Sequence, residues 1–215
     1  MTVYQISGLG AGKEVFGKIK LEHPTVFIPW LIPEKNESIA SYAKRMAKDI
    51  NTSEPFSLMG VSFGGIMIQE IGRFLNPEKK FVISSVQYQS EIPLSMRATA
   101  KLGLSKRIPS RGLMVSKGVT SYLFGAKKKS EKEWLNEIIG GIDMEYLRWS
   151  LTQIGIWKGN TGQNDIVRIH GKKDLLFPAR KLKKVDYWLR GGHLAAITDG
   201  AEISKIINSS LKAYD

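Results

Sequence analysis

Gly60-Val61-Ser62-Phe63-Gly64 sets a serine between glycines two residues before it and two after it. An apolar strand-like run, Phe56 to Ser62, leads in, and an apolar helix-like run, Phe63 to Leu75, leads out. A sharp strand-to-helix turn holds such a serine in a strained conformation with its hydroxyl above the sheet. The glycines remove side chains that would collide across the turn. The N-terminus of the following helix then offers the Phe63 N–H to a developing oxyanion. A serine hydroxyl is a weak nucleophile without a base. His193, in Arg190-Gly191-Gly192-His193-Leu194, directly follows a predicted strand, and the glycines before it give a mobile loop able to place an imidazole over the sheet edge. The base in turn needs an acid to fix its tautomer. Asp174 lies in the loop after the strand that precedes the histidine strand. Its competitors are Asp165, which stands before its strand, and Asp186, which lies within one. Catalytic groups of parallel sheets gather at the carboxyl ends of the strands, which selects Asp174. His170, at a strand end, is read as structural, and His23 as a surface residue.

These residues need a scaffold, and the patterning predicts one. Strands are expected at Thr2 to Ile6, Thr25 to Trp30, Phe56 to Ser62, Phe81 to Val86, Ile166 to Ile169 and Val185 to Leu189. Helices are expected from Lys13 to Leu21, Glu37 to Ile50, Phe63 to Leu75 and about Ala201 to Leu211. Strands alternating with helices predict a mostly parallel, doubly wound α/β sheet of about six strands with helices on both faces. The rhythm breaks once, over residues 88–160, which read as a helical insertion. Ser130 with Glu133 fits a capping box there, and Asp143 fits an N-cap. The expected division is a core of residues 1–87 and 161–215 with a helical cap of residues 88–160.

The order Ser62, Asp174, His193 is that of α/β-hydrolases and not that of chymotrypsin or subtilisin. With Gly8-Leu9-Gly10, Gly60 to Gly65, the Asp174 loop ending at Pro178, and Gly192-His193, the chain resembles the α/β-hydrolase superfamily over nearly its whole length. Its Ile-Ser-Gly-Leu-Gly-Ala start, residues 6–11, is similar to that of small capped bacterial hydrolases. The resemblance implies that Leu9 supplies a second oxyanion N–H beside Phe63, although Ser7-Gly8 stands where many members have His-Gly. It implies a six-stranded parallel core truncated at one edge, without two leading antiparallel strands. It also implies that residues 88–160 cap Ser62, and that the chemistry is esterase-like, through an acyl-enzyme. Thioesterases, amidases and carbon–carbon bond hydrolases use the same triad, and some receptors on this fold keep theirs.

The 215 residues, 42% of them hydrophobic, suit one domain with a sizeable core. The absence of cysteine excludes disulfides, thiolate metal sites and a cysteine nucleophile. Three histidines leave little for a metal centre, so no metal and no cofactor are expected. The net charge is +12, concentrated between Arg97 and Lys132, where ten basic residues face one acid, Glu131. A second basic run spans Lys172 to Lys184. These charges carry no nucleic-acid motif and read as a solvated face. Leu113, Met114, Val119, Leu123 and Phe124 supply an apolar counterpart expected to line an acyl pocket. The expected partner is a small-molecule substrate, with no nucleic acid and no membrane span. Nothing in the sequence specifies the oligomeric state. The start at Met1-Thr2-Val3, with no leader pattern, suggests a cytoplasmic location.

Overall fold

The computed structural model describes residues 1–108, 117–160 and 165–212. Arg111, Leu113 and Met114 of the expected basic and apolar cap series lie outside the described residues.

Six parallel strands form one sheet in the order β2-β1-β3-β4-β5-β6: β1 (Thr2–Ile6), β2 (Thr25–Phe27), β3 (Phe56–Val61), β4 (Lys80–Ile83), β5 (Ile166–Gly171) and β6 (Tyr187–Leu189). The period of two in these strands divides the core. Tyr4, Ile6, Leu58 and Val82 point to one face, where they meet Tyr42, Met46, Ile66 and Ile68 of helices α1 (Ile39–Met46) and α2 (Phe63–Ile71). Val3, Met59, Phe81 and Ile83 point to the other face, against Ile203, Ile207 and Leu211 of the last helix (Gly200–Leu211). All six residues of β3 and all nine of α2 are buried, as expected for a central strand of a doubly wound sheet and the helix it feeds.

Among the described residues, four α-helices run between β4 and β5: α3 (Leu94–Lys101), α4 (Lys117–Phe124), α5 (Lys129–Gly141) and α6 (Met144–Ile156). After β6 come α7 (Ala195–Thr198) and α8 (Gly200–Leu211). Asp143 caps α6 as expected, its carboxylate accepting from the Tyr146 N–H at 2.8 Å. The capping box of α5 sits elsewhere than expected. Glu131, not Glu133, reaches back, accepting from the N–H groups of Lys127 and Lys128 at 2.8 and 3.0 Å. The helix therefore starts at Lys129, before Ser130.

Other boundaries moved for local reasons. The stretch from Lys13 forms only a 3-10 turn, Lys13–Phe16, closed by Gly17, because glycine gains least from continuing a helix. α2 stops at Gly72, short of Leu75, for the same reason. β4 ends at Ile83 because Ser84 turns to a positive φ of 47°. β2 ends at Phe27, ahead of Pro29, which lacks the N–H a ladder needs. Among the described residues, no helix is long and apolar enough to cross a membrane.

Candidate active site

Ser62 stands between β3 and α2 with φ 54° and ψ −117°, a conformation that non-glycine residues avoid. Its surroundings impose it. The Ser62 N–H donates to the Ile83 carbonyl at 2.9 Å, and its carbonyl accepts from Ser85 Oγ at 2.6 Å. The glycines are required by close approach. A Cβ on Gly64 would stand 2.2 Å from the Ile6 carbonyl oxygen and 2.4 Å from that of Ser7. One on Gly60 would meet the Gly64 carbonyl at 2.3 Å. These obstacles are backbone, which has little room to yield. Gly64→Ala is accordingly expected to destabilise the fold by more than about 2 kcal/mol. Thermal denaturation checks this; a midpoint equal to that of the unmodified protein would contradict the packing described.

The three sequence-selected residues meet at the carboxyl ends of β3, β5 and β6. His193 Nε2 lies 2.9 Å from Ser62 Oγ, and His193 Nδ1 lies 2.8 Å from Asp174 Oδ2. A carboxylate only accepts, so Nδ1 carries the proton and Nε2 is left to accept from the serine hydroxyl. His193 and Asp174 are buried, while Ser62 is partly exposed. Asp174 Oδ1 accepts from the N–H groups of Leu176 and Phe177 at 2.8 and 2.9 Å, which locks the carboxylate plane. Burial by itself would raise the Asp174 pKa. The facing His193 and the hydrogen bonds from His170 and His193 outweigh burial and hold the carboxyl well below the usual carboxylate range. The rings of Phe124 and Phe177 meet the His193 imidazole edge-on at 5.2 and 5.6 Å.

The competing aspartates are elsewhere. Asp165 precedes β5 and pairs with Lys79 at 3.4 Å. Asp186 accepts from the Arg168 N–H at 2.7 Å. Of the glycines before His193, Gly191 is closely packed: a Cβ there would stand 2.3 Å from Asp199 Oδ2, and its carbonyl accepts from the Lys173 N–H at 3.0 Å, whereas a Cβ on Gly192 would come no nearer than 3.5 Å to a neighbour.

Leu9 and Phe63 line the same cavity as Ser62 and His193. Trp30, which sequence reasoning missed, braces both. Its Nε1 donates to the Gly8 carbonyl at 3.0 Å, and its ring stacks on Phe63 at 5.1 Å. The Gly8 carbonyl and the Leu9 N–H belong to one trans peptide, so gripping the first turns the second away from Trp30. Ser7 Oγ, which also takes the indole N–H, donates to the Ala11 carbonyl and tightens the loop. Ser85 was missed as well, although its place just after β4, beside β3, is where a brace for the elbow has to come from. His170, read as structural, has its Nε2 only 3.2 Å from the same Asp174 oxygen that His193 uses.

The cavity above Ser62 holds about 280 Å³. Met96, Leu123, Phe124, Leu135 and Ile139 line it from α3, α4 and α5. Among the described residues, no lysine, arginine, aspartate or glutamate lines it. A hydroxyl, an imidazole and a buried carboxylate in series, opening into an apolar chamber, are arranged to deprotonate the hydroxyl against a carbonyl carbon. Among the described residues, no group of three or more His, Asp or Glu side chains is disposed to hold a metal ion.

No family model matches the chain, and no curated protein matches it. Solved structures do. A thermophilic esterase from Thermogutta terrifontis is 12% identical, with 99% of this chain and 90% of that one aligned at a TM-score of 0.76. The chain has the α/β-hydrolase fold. The enol-lactonase of Burkholderia xenovorans LB400 is similar to the same degree, at 12% identity, 98% and 90% coverage and a TM-score of 0.72. A meta-cleavage product hydrolase from Pseudomonas fluorescens IP01 aligns over 100% of this chain and 92% of its own, at 12% identity and a TM-score of 0.71. Across the α/β-hydrolase fold the same sheet thus hosts different reactions, and the choice among them rests on the site itself.

Proposed function

We propose that this protein is a serine hydrolase that cleaves a small, neutral, apolar carboxylic ester through an acyl-enzyme. The observation that carries this is the line of contacts from Ser62 Oγ to His193 Nε2 at 2.9 Å and from His193 Nδ1 to Asp174 Oδ2 at 2.8 Å, on a serine held at a positive φ. Ser62 attacks the acyl carbonyl and His193 takes its proton. The Leu9 and Phe63 N–H groups receive the oxyanion. His193 then protonates the leaving alcohol, and a water activated by the same imidazole releases the acid. Asp174 keeps the imidazole in the tautomer this needs. Backbone strain of this kind occurs at ligand clamps as well as at active sites, so turnover is what separates an enzyme from a receptor on this fold.

Residues 88–160 act as the cap over Ser62 in this reading, since the side chains lining the chamber opposite the sheet come from them. The uncharged lining favours a neutral ester over a substrate bearing a carboxylate, because burying an unpaired charge there is costly. A panel of aryl esters of increasing acyl length tests the reading. Turnover that rises and then falls with chain length is expected; no turnover of any ester by the folded protein would contradict it.

The basic residues of the cap fit the same picture. Lys101, Lys106, Arg107, Lys127, Lys128 and Lys129 are exposed and none lines the chamber. Of the expected apolar series, Leu123 and Phe124 line it, whereas Val119 is exposed. Exposed charges are screened beyond about 10 Å at 0.1 M salt. For a neutral ester, kcat/KM is therefore expected to vary roughly twofold or less between low and moderate ionic strength. A salt-sensitive preference for an anionic acyl donor over a neutral one of equal length would contradict the reading.

A further inference from the structure

We propose that His170 is a second positioning residue of the site: its Nε2–H is donated to Asp174 and divides that carboxylate between two imidazoles. The tautomer follows from the surroundings. His170 Nε2 stands 2.9 Å from the Phe177 carbonyl oxygen and 3.2 Å from Asp174 Oδ2. Both are acceptors, so the nitrogen between them carries a hydrogen and shares it. Both side chains are at most 2% exposed, and no solvent competes. Trp188, paired with His170 across β5 and β6, covers the far side, the two rings meeting edge-on with centroids 6.0 Å apart.

Asp174 thereby receives four donors: the Leu176 and Phe177 N–H groups on Oδ1, and His193 Nδ1–H and His170 Nε2–H on Oδ2. That matches the roughly four lone-pair positions of a carboxylate. The charged surroundings are simple. Among the described residues, Asp174 is the charged group in contact with both imidazoles. Arg168, two residues before His170 on β5, is engaged with Glu91 at 2.8 Å. Lys172 and Lys173 are exposed, and Asp199 turns to Gly191 and Thr198. The negative charge that His193 feels is therefore set by how much of Oδ2 His170 takes. Without the His170 donor, Oδ2 faces His193 alone and loses one of the contacts that fix its place in the site.

This inference rests on the hydrolase reading for its kinetic arm but not for its spectroscopic one. In kinetics, His170→Phe keeps the ring and removes the donor. The maximal kcat should fall about tenfold, because Asp174 loses a donor that fixes the oxygen His193 uses. His170→Gln places an amide N–H near the lost Nε2 and is expected to restore most of the kcat. A merely structural His170 would give lower thermal stability with kcat unchanged; that result overturns the proposal, as does a Gln variant no better than Phe. In spectroscopy, ¹⁵N shifts of histidine-labelled unmodified protein should show His170 protonated at Nε2 near neutral pH. An Nδ1–H tautomer for His170 overturns the proposal even if the Phe variant does not fold, and even if no ester is turned over.

Discussion

Alanine at position 62 is expected to leave a folded protein with almost no activity. Removing Oγ removes the atom that bonds to the acyl carbon, so kcat should fall on the order of 10⁶-fold, to what the oxyanion N–H groups and binding alone provide. The fold should not suffer. Ser62 contributes its strained backbone, held by Ile83 and Ser85 through main-chain atoms that alanine keeps. Hydrolysis of a preferred aryl ester, alongside the thermal midpoint of the same preparation, checks both halves. Substantial turnover by a folded Ser62→Ala protein would remove Ser62 from the chemistry.

The second large effect concerns the three residues as a unit. His193→Ala should cost nearly as much as Ser62→Ala, and combining the two should add little, because each alone already prevents the same proton transfer. Asp174→Asn should cost less, about 10⁴-fold in kcat, by presenting an amide N–H to Nδ1 and favouring the wrong imidazole tautomer. The asparagine also turns its amide against the Leu176 and Phe177 N–H groups or against the two imidazoles, since one of its two ends donates. Asp165→Asn and Asp186→Asn touch neither imidazole and should stay close to the unmodified protein. A crippled Asp186→Asn beside an unaffected Asp174→Asn would reverse the assignment.

Much of this arrangement is legible in the amino-acid sequence. Ser62 can be read because its glycines answer to a local backbone requirement, and because an apolar run of strand length leads in and one of helix length leads out. Asp174 was separable from Asp165 and Asp186 by asking which end of a parallel strand each occupies. What escapes depends on how the chain turns back on itself, over long separations or short ones. Trp30 reads as the end of a strand, yet its indole reaches Gly8 and its ring lies on Phe63. His170 sits at a strand end, where structural and functional histidines look alike. Only the return of the loop through Phe177 brings its Nε2 to Asp174. Boundaries were missed where one residue overrode a longer pattern, as Gly17 and Gly72 did for helices and Ser84 for a strand. The box assigned to Ser130 and Glu133 shows the converse, since Glu131 offered the same chemistry two residues earlier.

Activation of one serine hydroxyl is what a fluorophosphonate tests at the level of the atom. Such a probe reacts with a serine oxygen only where a base takes its proton and an oxyanion site receives the phosphoryl oxygen. Labelling the folded protein and mapping the adduct by mass spectrometry should place a single modification on Ser62. Labelling should vanish in His193→Ala and persist in Asp165→Asn. No adduct on the folded protein, or one on another serine such as Ser7 or Ser84, would contradict the account.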